Sequence, residues 1–73
     1  MKIYISQELG SAYQLIGDSL EFAPLMKDGT FETNDFGATE PELMGEEPVT
    51  FEGVETNFYG AYATIIKRLK GEL

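Results

Sequence analysis

Apolar and polar residues alternate along the first quarter of the chain, with the period of a β-strand that buries one face. In the first such segment Ile3 and Ile5 fall on one side and Tyr4 on the other. The alternation resumes after the turn residues Gly10 and Ser11. We therefore predict antiparallel strands in this part of the chain.

The dipeptide Gly17-Asp18 predicts a two-residue hairpin loop, because glycine in the first position suits a primed turn. With this loop, Ile16 lies opposite Ser19 and the register of the hairpin is set. When residues are paired outward from this loop, one face of the hairpin is apolar and the other is polar. The apolar face consists of Tyr13, Leu15, Leu20 and Phe22, and the polar face of Gln14 and Glu21. A half-buried antiparallel sheet requires this alternation.

Asp28-Gly29 is the strongest short hairpin signal in the chain and predicts a second reversal. Its register places Met26 opposite Phe31 and extends the apolar face across a further strand. Pro24 interrupts this face, because a proline donates no hydrogen bond to the ladder and belongs at an edge or a bulge. A bulge at Pro24 would move the later side chains to the other face, so both arrangements stay open.

Toward its end the chain changes to a helical period. Apolar residues recur there at spacings of three and four, at Val54, Phe58, Ala61, Ile65 and Leu69. The basic residues that follow have the sign that a helix dipole favours, and Gly71 suits the C-terminal cap. The start of this helix is open, because residues 49–53 are equally typical of a fourth strand.

Gly60 lies between Thr56 and Thr64 at helical spacing. It leaves a smooth groove where another backbone can approach closely. The alternative is a tolerated glycine, which costs about 1 kcal/mol relative to alanine.

These patterns predict an α+β fold, namely a small three- to four-stranded antiparallel sheet (a β-meander) with one C-terminal helix packed on one face. With 73 residues the chain forms one domain. Its parts are a sheet in residues 1–32, an acidic irregular loop in residues 33–48 and mainly helix in residues 49–71. A loop of this length is usually functional or partly disordered.

The chain contains no Cys and no His, which removes disulfides, the usual zinc ligands and the common nucleophile–base pairs of enzymes. A carboxylate pair would need a buried acid, and so small a domain has little interior. We therefore predict a protein that is not an enzyme and has no cofactor. No apolar run approaches the roughly 20 residues of a membrane span, and the start is not a signal peptide, so we expect a cytoplasmic protein.

Charge is distributed unevenly along the chain. Acidic residues number 13 and basic residues 5, a formal charge of −8, and no basic residue lies between Lys27 and Lys67. That interval holds nine carboxylates: Asp28, Glu32, Asp35, Glu40, Glu42, Glu46, Glu47, Glu52 and Glu55. Such a surface repels phosphates and attracts basic partners.

Part of this interval is the predicted partner-binding site. Its residues are Glu32, Asp35, Phe36, Glu40, Glu42, Leu43, Met44, Glu46 and Glu47. The hypothesis is that the carboxylates imitate the phosphates that a basic host protein, such as a nucleic-acid-binding protein, normally meets, while the apolar residues anchor the contact. The alternative is an acidic loop that keeps the protein in solution, with its apolar residues fastened to the core.

A further possibility is a structural or self-assembling homodimer, joined through a sheet edge or the Gly60 face. Another is weak calcium binding by oxygen ligands in residues 28–37. These ligands do not have the spacing of an EF-hand loop.

Residues 13–37, YQLIGDSLEFAPLMKDGTFETNDFG, resemble short acidic proteins of unknown function from tailed bacteriophages. Those proteins carry a Gly-Asp hairpin followed by an aromatic residue, a Pro and an Asp-Gly turn. The resemblance covers about a third of the chain and implies a phage setting, in which an inhibitor of a host protein is more plausible. It transfers no site residue.

Overall fold

A three-stranded meander and a C-terminal helix form the two layers of the α+β fold. The structure, a computed structural model, describes residues 2–37 and 40–71, without the side chains of Glu40 and Leu43. Within these ranges the elements are β1 (Ile3–Ser6), β2 (Ser11–Ile16), β3 (Ser19–Pro24), a 3₁₀ turn (Thr33–Asp35), α1 (Glu40–Met44), β4 (Pro48–Phe51), β5 (Val54–Asn57) and α2 (Phe58–Leu69).

The predicted first hairpin is confirmed, together with its register. Ile16 pairs with Ser19 and Tyr13 with Phe22, and Gly17 adopts the positive φ of 60° that a primed turn needs. On the polar face the Gln14 side-chain amide donates a hydrogen bond to Glu21 across the strands (3.0 Å). β1 pairs antiparallel with β2 on its other side, so the sheet order is β1-β2-β3.

The apolar face of this sheet and the helix α2 form the core. Tyr13 and Leu20 are buried on the sheet, and their counterparts on the helix are Phe58, Ala61, Tyr62 and Ile65. The rings of Tyr13 and Tyr62 meet edge to face, with centroids 5.2 Å apart. Leu15 and Phe22, which the sequence places on this face, pack against the same cluster.

The opposite face of the meander has two buried alanines, and the chain that follows β3 returns to the meander nearby. Ala12 and Ala23 pair on this face and are fully buried, yet they lie outside the core cluster. The Leu25 amide donates to a carbonyl in the β1–β2 turn (3.0 Å), and the Gly37 amide donates to Phe22 (3.3 Å). Residues 25–37 thus fold back toward the meander at these two points.

The second predicted hairpin is wrong. The Met26 amide donates to the Thr30 carbonyl (2.7 Å), so the loop has three residues instead of two. The cause is Asp28, whose carboxylate accepts hydrogen bonds from the amide (3.0 Å) and the hydroxyl (2.6 Å) of Thr30. Met26 therefore faces Thr30 rather than Phe31, is 46% exposed and does not extend the apolar face.

Pro24 is the last residue of β3 and pairs with Ser11 in an unbroken register, so it ends the strand without a bulge. No strand follows in the described residues 25–37. The loop predicted as irregular contains the 3₁₀ turn and the short helix α1.

The helix begins at Phe58, and a start at Val54 is wrong. Residues 48–57 form the hairpin β4–β5, which turns at Glu52 and Gly53 with φ values of 52° and 78°. Asn57 caps the helix by accepting a hydrogen bond from the Gly60 amide (2.9 Å). Neither helix of the described chain has the length and apolarity that crossing a bilayer requires.

Side chains from the start of the chain hold the β4–β5 hairpin in place. The Glu8 carboxylate accepts hydrogen bonds from the amides of Glu52 and Gly53, and the rings of Tyr4 and Phe51 lie 6.0 Å apart. Phe51 is buried in the core. Among the described strands this hairpin is a separate two-stranded sheet, joined to the meander by these contacts.

Candidate functional site

The carboxylates of the predicted partner-binding site lie on the surface. Five of them have described side chains, and all are exposed: Glu32, Asp35, Glu42, Glu46 and Glu47. The side chains of Glu40 and Leu43 lie outside the described part of the structure. A partner can therefore reach the described carboxylates without any rearrangement of the fold.

The structure attaches these residues to the fold at two places rather than one. Glu32 and Asp35 flank the 3₁₀ turn, which packs beside β3. Phe36 follows this turn and is half-buried, and its ring meets Phe31 edge to face with centroids 5.7 Å apart. Phe36 therefore packs within the loop and not in the core cluster, and the backbone bond from Gly37 to Phe22 ties the segment to β3.

The second attachment is the segment from α1 to β4, which packs on α2. Gly45 is buried, and a Cβ atom there would overlap the ring of Tyr59. The Glu47 amide donates to the Met44 carbonyl (3.1 Å) and closes the turn. Met44 itself is 39% exposed, so it is an apolar side chain that a partner can contact beside Glu46 and Glu47.

Two carboxylates outside this site have perturbed titration. The hydroxyl of Thr30 and, to a smaller extent, its amide lower the pKa of Asp28 by hydrogen bonding to the carboxylate. Lys70 lowers the pKa of Asp18, first through a hydrogen bond (2.8 Å) and second through its charge. Within residues 2–37 and 40–71, no group of three or more acidic side chains has the arrangement of a metal site.

A second candidate surface is a groove of about 420 Å³ between the β4–β5 hairpin and α2, which we call the helix–hairpin groove. Its lining consists of Phe51, Glu52, Val54, Thr56, Gly60, Thr64 and Arg68. The sequence predicted an open surface at Gly60 between Thr56 and Thr64, and all three residues line the groove. However, Thr56 belongs to β5 and not to the helix, and its hydroxyl occupies the space at Gly60, so the predicted close approach of another backbone at this glycine is wrong.

The groove exists because α2 covers only part of the inner face of the hairpin. Phe51 pairs with Val54 on this face, yet Phe51 is buried whereas Val54 is 63% exposed. Gly60, on the facing side of α2, packs against Thr56, whose hydroxyl occupies the space where a Cβ atom of residue 60 would lie. The sequence predicts Val54 as part of the helical stripe because its spacing fits that stripe, whereas it belongs to β5.

One end of the groove is charged. Arg68 forms an ion pair with Glu52 and donates a hydrogen bond to the Tyr4 hydroxyl (3.3 Å). The hydrogen bond to the Glu52 carboxylate is the main cause that raises the pKa of Arg68. Glu8 adds a second carboxylate at the adjacent turn. The groove itself therefore ends in the paired charges of Glu52 and Arg68, and the Glu8 carboxylate lies next to this end but outside the lining.

The resemblance of residues 13–37 to short acidic proteins of tailed bacteriophages rests on turn residues alone and stays a prediction. No family model, no curated protein and no solved structure matches this chain.

Proposed function

We propose that this protein is a non-enzymatic, acidic interaction module that binds a basic surface of another protein. In its most specific form it is a phage-encoded inhibitor that acts in the host cytoplasm and covers the nucleic-acid-binding surface of a host protein. One observation carries the proposal: no basic residue interrupts the stretch from Asp28 to Ile66, and its described carboxylates in residues 32–47 are all exposed.

Electrostatics supports a basic partner in particular. A surface with one sign of charge accelerates encounter with an oppositely charged partner and orients it. The same charge repels nucleic acid, so direct binding to a phosphate backbone is disfavoured. The contact that follows needs apolar anchors, and Met44 lies exposed beside Glu46 and Glu47.

The packing of this stretch also favours binding. The hydrogen bond from the Gly37 amide to Phe22 and the packing of Gly45 under Tyr59 hold the two carboxylate-bearing segments on the fold. A segment that is already ordered loses less conformational entropy when it binds. The carboxylates are therefore presented on a largely preformed surface.

The test is capture of partners from a lysate of the native host, followed by binding measurements on the purified partner at several salt concentrations. Glu46→Gln with Glu47→Gln should weaken binding about tenfold, the loss of two surface charge contacts. Glu21→Gln with Glu55→Gln removes the same net charge elsewhere and serves as the matched control. An excess of the protein should displace nucleic acid from its partner.

Salt-independent capture would contradict the proposal, as would equal weakening by the two pairs of substitutions. In the first case charge does not drive the contact, and in the second only the total charge matters.

A homodimer is the second candidate function. It is favoured by the helix–hairpin groove, where Val54 leaves an exposed apolar side chain beside α2. Sedimentation of the isolated protein at physiological salt separates the two candidates. A dimer that persists at micromolar concentration and is disrupted by a substitution in the groove would support assembly instead of the acidic module.

A further inference from the structure

We propose that the helix–hairpin groove is the specificity pocket for the basic partner, and that it receives an aliphatic side chain flanked by Lys or Arg. This inference rests on the proposed function and adds the chemistry of the segment that is bound. It follows from the shape of the groove, its apolar floor and the charge at its end.

The floor of the groove fits an aliphatic side chain. Val54 is the most exposed of the large apolar side chains of the described chain, at 63%, and lies beside Gly60 and Thr64. The Thr64 hydroxyl donates to the Gly60 carbonyl (3.3 Å), so this polar group already has a partner within the helix. Burial of a Val, Leu, Ile or Met side chain here removes apolar surface from water without leaving that hydroxyl unsatisfied.

The charged end selects the residues that flank this side chain. Glu52 is paired with Arg68 in the groove, and the exposed Glu8 carboxylate lies next to it, bonded to the amides of Glu52 and Gly53 outside the groove lining. One carboxylate is therefore in excess, and an incoming Lys or Arg would balance it. An acidic flanking residue would instead meet like charge.

A second copy of the chain is a poor occupant by the same reasoning. Each copy carries a formal charge of −8, so two copies repel each other as they approach. Nucleic acid is disfavoured for the same reason. A basic protein segment is the occupant that combines apolar contact with charge complementarity.

The test is an NMR titration of the ¹⁵N-labelled protein with a pool of short peptides, each with one aliphatic residue between Lys or Arg residues. We expect amide shifts in residues 54–56 and 60–68. Val54→Ser should weaken binding about fivefold, because it removes two methyl groups from the contact. Ile16→Ser, at a side chain that is 50% exposed on the meander, is the matched control and should bind as wild type.

Three results would overturn the inference. Shifts confined to residues 42–47, with Val54→Ser binding as wild type, would leave the proposed function standing without the groove. Shifts of the groove amides with protein concentration alone would identify a second copy as the occupant. No shift with the basic pool would also exclude the groove as a site of this kind, while the capture experiment decides the proposed function separately.

Discussion

Gly60 lies in the first turn of α2, where any side chain would overlap the Thr56 hydroxyl. Alanine in a helix is ordinarily about 1 kcal/mol more favourable than glycine. Here we expect Gly60→Ala to destabilise the protein by about 1 kcal/mol, because the overlap outweighs the helix propensity. Thermal unfolding measured by circular dichroism checks this, with a melting temperature about 5 °C lower.

The control is the same change in a Thr56→Ala background, where the overlapping hydroxyl is absent. Gly60→Ala should then raise the melting temperature. If it lowers the melting temperature equally in both backgrounds, the contact with Thr56 is not the reason for the glycine.

The pKa of Asp18 depends on one neighbour, Lys70, and its titration can be followed by NMR. A carboxylate whose pKa is lower in the folded state stabilises the fold above its unfolded pKa, close to 3.8, and this contribution is lost as the pH falls through the folded pKa. In Lys70→Met we expect the Asp18 pKa to rise toward 3.8. Asp28 is the internal control: Thr30, and not Lys70, lowers its pKa, so its pKa should not change in this variant.

No change at Asp18 in this variant would show that Lys70 does not hold the carboxylate in solution. An equal rise at both aspartates would indicate a general charge effect rather than the contact between Asp18 and Lys70.

At the scale of elements, Glu8 connects the β1–β2 turn to the β4–β5 turn, and its loss should loosen the second hairpin. We expect Glu8→Ala to reduce stability by about 1 kcal/mol, since two hydrogen bonds to an exposed carboxylate are lost. Hydrogen exchange is the sharper measurement, because the amides of Glu52 and Gly53 lose their acceptors. Both should exchange faster in the variant.

Glu8→Gln is the conservative control. Its side-chain carbonyl can still accept one hydrogen bond, so exchange should be intermediate. Unchanged exchange in Glu8→Ala would mean that the hairpin keeps its position without this contact.

The elements differ in how well the sequence predicts them, and the difference has physical causes. The Gly17-Asp18 hairpin is predicted with its register because the turn and the alternation of apolar residues agree. At Asp28-Gly29 the turn residues indicate a hairpin equally clearly. However, the Asp28 carboxylate accepts hydrogen bonds from Thr30, and the loop gains one residue. Hydrogen bonds of side chains within a turn are not visible in an apolar pattern.

The alternative of a fourth strand in residues 49–53 agrees with β4, whereas the sequence does not predict β5 or the turn between them. This turn places Glu52 at a positive φ, where Asn or Asp would be the usual signal before Gly53. Contacts with Glu8, which is distant in sequence, support this turn. For the candidate site, exposure of the carboxylates follows from their charge, whereas the helix–hairpin groove needs the three-dimensional arrangement of β5 against α2.

At the scale of the whole molecule, the formal charge of −8 destabilises the folded state through repulsion. Salt screens this repulsion, since the Debye length falls from about 30 Å at 0.01 M to about 8 Å at 0.15 M. We expect the melting temperature to rise by about 3 °C across this range. Glu46→Gln with Glu47→Gln should reduce the rise, because less repulsion remains to be screened.

A melting temperature that falls as salt is added would contradict this prediction, because salt would then weaken attractive contacts more than it weakens the repulsion. The ion pairs of Arg68 with Glu52 and of Lys70 with Asp18 would then contribute more than the repulsion among the carboxylates.

The packing of α2 over Tyr13 and Leu20 has a consequence for biosynthesis. Ribosomes synthesise the meander first. Its apolar face stays exposed to solvent until residues 25–57 have also been translated and α2 can dock. A nascent chain halted before Phe58 would present that face to chaperones and to other unfinished chains. Completion of the fold is thus tied to emergence of α2 from the exit tunnel.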